Sequence, residues 1–257
     1  MFLLPFQGEK GRMRGIVKMI HKIILLLCAL LVCAGLPASA SAEPGVGSVA
    51  AMYAKMHMLF GSATEDNATG YVFTVQELEE IAALRPDLPL GERWELMRAE
   101  LAQRHPGKIA DTLHWTFNAA GNVVCQIAIV AASPREYVAF FGTPVGATGF
   151  SGRYNESDVW DIMAQGEMWA CVPGQFDYST YVLGQTAYLK RGAAKIFRYG
   201  PGTWMIDYAR GNILSMFPFG VIAPAVYNTL DFKSATEQFA DYAGLVVKGL
   251  LHREKEQ

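Results

Sequence analysis

A mainly β body with flanking helices (α+β) is the fold class this chain predicts, and three observations predict it. From Thr112 to Tyr208 the sequence runs in short apolar stretches separated by Gly, Pro and Asn, the punctuation of strands and turns at barrel or sandwich spacing. On both sides of that stretch apolar residues recur every three or four positions, the period of helices laid on a core. The 257 residues are 51% hydrophobic and 18% charged, which suits one large core with a short appendage and excludes a disordered chain.

The appendage comes first. Ile23 to Ala40 carries no charge, follows Lys10, Arg12, Arg14, Lys18 and Lys22, and leads into Pro37 and the small-residue run ASASA. This is a membrane-targeting segment. A cleaved signal peptide and a retained anchor, near the lower length limit for ~30 Å of hydrocarbon, both fit it, and the basic residues predict a cytoplasmic N-terminus in either case. Residues 1–42 are therefore read as this segment and 43–110 as an N-terminal helical region. Within the latter lies a Met- and aromatic-rich patch, VAAMYAKMHMLF. Thr74 with Glu77 forms a capping box ahead of Leu78, Ile81 and Leu84, which predicts a helix ending at Pro86. A second helix runs from Gly91 to His105, with Trp94, Met97 and Leu101 on one stripe and a His-Pro-Gly turn at its end.

Residues 111–211 form the β region, with strands in LHWTF, VVCQIAIVAA, EYVAFF, EMWACV, AKIFRY and TWMIDY. Residues 212–257 close the chain with two helices. The first, Asn212 to Thr229, is too apolar all round for plain solvent; the second, Asp231 to Leu251, is amphipathic. Net charge is −2, but the basic N-terminus leaves the rest at −6, which argues against nucleic acid as a partner. Of four cysteines, Cys28 and Cys33 lie in the apolar run, and Cys125 and Cys171 are too few for a disulfide scaffold. Asn67 and Asn155 begin glycosylation sequons.

Most enzyme classes lack their signature here: there is no GxSxG, phosphate-binding glycine loop, HExxH or CxxC. No two histidines stand at metal-ligand spacing, so neither metal nor cofactor is expected. His114 is the one histidine placed to serve a Ser or Cys nucleophile, and it reads more simply as a core residue. Carboxylates in apolar surroundings remain. Strand alternation in TWMIDY puts Trp204, Ile206 and Tyr208 on one face and Thr203, Met205 and Asp207 on the other. A buried Asp207 would share a proton with a second acid from YNESDVWDIM: Glu156, Asp158 or Asp161, the last two on one face if that segment is helical. The competing arrangement pairs Asp207 with Arg210 and leaves the acidic cluster in solvent.

From about Phe73 to Leu251, some 70% of the chain, the sequence resembles the family joining fungal sterol C-8 isomerase with the sigma receptor. The resemblance rests on ordered matches: HPG at His105, L-x-W ending at Trp115, NAAG at Asn118, EYVAFFGT from Glu136, SGRY from Ser151, YGPGTWMIDYARG from Tyr199 and LDF at Leu230. LKRGAAK from Leu189 and MFPFG from Met216 are closer to the isomerase branch; GPGTWM and SGRY are closer to the receptor branch. The resemblance implies a cupin-like β-barrel around an apolar cavity, an N-terminal membrane segment, two C-terminal membrane-facing helices and a homotrimer. It also implies membrane association, in the endoplasmic reticulum if the host is eukaryotic.

The family's facing glutamate and aspartate map, for the first, to Asp207. For the second they map to Asp161 or, by a gapless alignment from SGRY, to Asp158. Cavity aromatics map to Tyr137, Phe141, Tyr154, Tyr199 and Tyr242. Two positions depart from the receptor pattern: a tryptophan is replaced by Asn122 and a cavity histidine by Leu189. The implied activity is cofactor-independent movement of a sterol double bond from delta-8 to delta-7 by two carboxyls. Sterols or other polycyclic lipids would be substrates, with lipophilic amines as cation mimics. The alternatives are a non-catalytic receptor for such amines and a lipid carrier that uses only the cavity.

Overall fold

Residues 70–256 are described by the structure, a computed structural model. The membrane-targeting segment, the Met-rich patch and the sequon at Asn67 lie outside the described residues. Helix α1 (Val75–Ala82) starts where the Thr74 side chain accepts the Glu77 N–H at 3.1 Å, satisfying one of the free amides of the first turn. Its Leu78 and Ile81 are buried against Trp94, Met97 and Leu101 of α2 (Leu90–Arg104) in one cluster. Arg93 is also buried. Its guanidinium donates to the carbonyls of Leu84, Ala82 and Ala164 at 3.1, 2.9 and 3.0 Å, which ties both helices to the strand carrying Ala164.

Ten strands follow: β1 (Thr116–Asn118), β2 (Cys125–Ala132), β3 (Glu136–Thr143), β4 (Ala147–Phe150), β5 (Ser157–Gln165), β6 (Glu167–Cys171), β7 (Ser179–Val182), β8 (Thr186–Leu189), β9 (Ile196–Tyr199) and β10 (Thr203–Gly211). They build a six-stranded sheet in the order β1-β2-β3-β10-β5-β8 and a four-stranded sheet in the order β4-β9-β6-β7. Every strand pair is antiparallel. The chain passes between the sheets several times, once at Gly166, between β5 and β6. Its φ of +75° favours glycine, and a Cβ there would sit 2.7 Å from Thr203 Cα.

The YNESDVWDIM segment, whose Asp158 and Asp161 would share a face only as a helix, enters β5 in the middle of the larger sheet. Its run of apolar residues without a helical stripe suits a strand covered on both faces. The outer face of the sheet, with Val138, Phe140, Ile162, Trp204, Ile206 and Tyr208, packs on α1 and α2, and Trp94 stacks on Phe140 with ring centres 4.4 Å apart. The inner face looks toward the smaller sheet.

After β10 the chain makes a short 3₁₀ turn (Ile213–Met216) and two wide helical turns, Pro218–Ile222 and Pro224–Asn228. The first of the two expected C-terminal helices is therefore not an α-helix. Each wide turn starts on a proline, which has no N–H to donate and crowds the carbonyl four residues back. Within each turn the bonds to the proline's own carbonyl reach five residues: Ala223 N–H to Pro218 O, and Thr229 N–H to Pro224 O at 2.8 Å. Helix α3 (Phe232–Glu256) then lies across β1 and β2. Gln238 donates to Phe117 O at 2.8 Å and Tyr242 to Ser133 O at 2.9 Å, holding it there. Among the described residues no helix is long and apolar enough to cross a membrane.

Candidate functional site

A cavity of about 140 Å³ lies between the two sheets, under the wide turns and α3. On the inner face of β10, Met205, Asp207 and Ala209 follow one another at alternate positions, as the period of two requires. Met205 belongs to an apolar cluster on one side of the cavity and Ala209 to a second cluster on the other. Asp207 thus stands in the gap between two hydrophobic groups. Its cross-strand partners are Ala139 on β3 and Asp161 on β5. Directly opposed residues on one sheet face are close neighbours, so the register brings the two acids together.

The environments of the two acids differ. Asp207 Oδ2 accepts the Tyr137 hydroxyl at 2.6 Å, whereas Oδ1 is buried without any hydrogen-bond partner. Asp207 keeps some accessible surface, but that surface faces the cavity it lines. Burial pushes its pKa up to about 7; the negative charge of Asp161 adds to the rise, while the Tyr137 hydrogen bond and Lys195 oppose it. Asp161 Oδ2 instead accepts from the Lys195 ammonium at 2.5 Å, and both side chains are buried. Lys195 is the residue that sequence reasoning missed. A charge buried beside a paired acid needs a counter-ion, and a lysine between AA and IF was the available signal.

Asp158 is on the other face. Three residues from Asp161 along a strand, it points away from the cavity and accepts from Arg191 N–H at 2.8 Å, Arg191 Nε at 2.9 Å and the Tyr188 hydroxyl at 3.0 Å. Burial works to raise its pKa, but the Arg191 and Tyr188 hydrogen bonds outweigh it and hold the group below the ordinary carboxylate value. Arg210 does not pair with Asp207 either: it donates to the Tyr208 hydroxyl at 2.5 Å and to Phe73 O at 2.6 Å on the outer face.

Tyr137, Phe141, Tyr154, Tyr199 and Tyr242 all line the cavity, as does Leu189, where the receptor pattern has histidine. Burial raises the Tyr137, Tyr154 and Tyr199 hydroxyls above their ordinary pKa, so they serve as neutral donors and ring faces. Asn122 is outside this lining and accepts from the Asn228 side chain at 3.3 Å. His114 meets Asp241 at 2.7 Å near the surface. Cys125 is buried in an apolar cluster with its thiol pushed up to about 12. Among the described residues no group of His, Cys, Asp or Glu has a metal-binding arrangement.

A two-sheet β body enclosing an acid pair in an aromatic cavity is the class of protein that fold and site define. The chain belongs to the family of ERG2 and Sigma1 receptor like proteins, whose model matches residues 47–254. It is 39% identical over 118 residues to the C-8 sterol isomerase of Pyricularia oryzae, covering 46% of this chain and 52%, about half, of that relative. It is 33% identical over 168 residues to the protein erg2 homolog of Dictyostelium discoideum, covering 65% of this chain and 71% of that one. The sigma non-opioid intracellular receptor 1 of Xenopus tropicalis is 32% identical over 164 residues, covering 63% and 73%. Among solved structures, an RmlC-like cupin from Shewanella frigidimarina matches with a TM-score of 0.33 and 12% identity, covering 40% of this chain and 86% of that one; the likeness is too slight to define the architecture.

Proposed function

We propose that this chain moves a ring double bond of a sterol, or of a related polycyclic lipid, from the delta-8 to the delta-7 position, using Asp207 and Asp161. The observation that carries the reading is the unpartnered Oδ1 of buried Asp207 beside a second acid. A buried carboxyl oxygen without a donor favours the protonated form, and a carboxylic acid kept neutral near pH 7 is a general acid. The proton on Asp207 goes to one alkene carbon and a tertiary cation forms. The neighbouring carbon then loses its proton to the Asp161 carboxylate. No electrons are gained or lost overall, so the two acids suffice. Ionised Asp161 and the faces of Tyr154 and Tyr199 stabilise the cation while it lasts. A cavity of about 140 Å³ is below the ~300–1,000 Å³ of most ligand pockets, so a polycyclic ligand enters by displacing lining side chains. The wide turns at 218–228 are the segment built to yield, since their prolines interrupt the regular bonding.

The same reading takes the body as a cupin-like barrel and the chain as a membrane-associated homotrimer, as the family resemblance implies. Purified protein incubated with a delta-8 sterol should yield the delta-7 product. Asp207→Asn should lower turnover by about 10²–10⁴-fold, the usual worth of a general acid, with no loss of thermal stability. Unchanged turnover in that variant would overturn the mechanism.

A second reading, a receptor for lipophilic amines, is favoured by the same free Oδ1, which an ammonium would occupy. It requires Asp207 ionised, so amine affinity should rise as pH increases through about 7. Amine binding without any sterol turnover would establish it over the first.

A further inference from the structure

An isomerisation run by two acids leaves the pair inverted. Asp207 gives up its O–H proton to the alkene carbon, and Asp161 gains one from the neighbouring C–H. After one turnover Asp207 is the carboxylate and Asp161 the acid. Before the next, that proton must pass from Asp161 back to Asp207. Two equivalent carboxyls would share it evenly and idle in the wrong arrangement half the time.

The site is not symmetric. Among the described residues lining the cavity, Lys195 alone has a basic side chain, and its ammonium touches Asp161, not Asp207. The lysine is fixed from its backbone. Its N–H donates to Ser151 Oγ at 2.9 Å and its carbonyl accepts the Ser151 N–H at 3.0 Å, so the SGRY segment clamps the start of β9. A buried ion pair of this kind costs desolvation and is a poor source of stability, which leaves its purpose to be found in the chemistry.

We propose that Lys195 is the positioning residue that resets the acid pair: by pairing with Asp161 it keeps that group the carboxylate, and so returns the proton to Asp207 after each turnover. This rests on the isomerase reading for its purpose, though not for its geometry. Protonating Asp161 would break the ion pair and strand a buried ammonium, whereas protonating Asp207 gives its bare Oδ1 a hydrogen and breaks nothing. The other titratable groups facing Asp207 are Asp161 on β5, Tyr137 on β3, Tyr199 on β9, Tyr154 in the loop after β4 and Tyr242 on α3.

The test needs no ligand at its first stage. Carboxyl ¹³C NMR of the full chain labelled at aspartate should show Asp207 taking up a proton while Asp161 stays ionised. Two signals that titrate together in the wild-type chain would overturn the proposal. Lys195→Met, unbranched and uncharged, should make the two acids titrate as a coupled pair. Lys195→Arg should restore the wild-type order, and Lys195→Gln substitutes if the Met variant does not fold. In turnover of a delta-8 sterol, the uncharged variant should lose roughly tenfold or more, with the alkaline limb of its pH profile moved upward; the Arg variant should recover both. A pH profile superimposable on the wild type would likewise overturn it. Absence of turnover in the wild-type chain would sink the isomerase reading alone, because the titration decides separately what Lys195 does to Asp161.

Discussion

Glu136 and Asp207 are two buried carboxyls on neighbouring strands of one sheet, facing opposite ways. Glu136 lies on the outer face, where its oxygens accept Val72 N–H at 2.7 Å, Phe73 N–H at 3.4 Å and the Tyr208 hydroxyl at 3.0 Å. Asp207 lies on the inner face with one hydroxyl partner and one oxygen left bare. Burial raises both groups above their ordinary pKa. What separates them is saturation: the outer acid uses its lone pairs to anchor the segment ahead of α1, and the inner one leaves an oxygen bare beside the cavity.

The difference can be broken most strongly through pH. Asp207 binds its proton more tightly in the folded chain than in the unfolded one, so the fold loses stability as pH rises from about 4 to about 7. Asp207→Asn should remove that loss. Chemical denaturation across the range should show the variant overtaking the wild type by a few kcal/mol at most, and parallel curves would mean the acid is not held neutral. A smaller effect is expected at Glu136. Glu136→Gln puts an amide where a backbone N–H and a hydroxyl now donate, which should cost about 1–3 kcal/mol in urea unfolding and leave sterol turnover within about threefold. A large kinetic defect there would erase the contrast between the faces. Smallest is Asp158→Asn, which weakens the pairing with Arg191 on the outer face and should cost about 1 kcal/mol. Asp158 has a lowered pKa, so its contribution is present above the ordinary carboxylate value and is lost as pH falls below it. The variant should therefore be less stable than the wild type near neutrality and converge with it in acid, opposite in sign to Asp207→Asn.

Much of this was legible beforehand. The capping box at Thr74, the Trp94–Met97–Leu101 stripe and the alternation in TWMIDY each follow from local rules, and each element formed as those rules require. The sequence left the β5 segment open, since Asp158 and Asp161 at a spacing of three share a face only on a helix; the neighbouring strands on both sides, β10 and β8, make it a strand. Asn212–Thr229 was read from its hydrophobicity alone, which does not show that prolines widen its turns or that one side roofs a cavity. Lys195 was missed for another reason. Its partner is 34 residues away in sequence, and a long-range ion pair leaves no periodic trace.

The pleat of β5 makes the identity of the inward acid a matter of counting. Because adjacent residues alternate sides, losing or gaining a single amino acid just upstream of Asp161 would leave its own orientation intact but turn Asp158 to the opposite side. The pairing of Asp158 with Arg191 would then be lost, and a third carboxyl would crowd the cavity. Strand length is thus under chemical constraint here, in a region where a loop would have absorbed the same change without consequence.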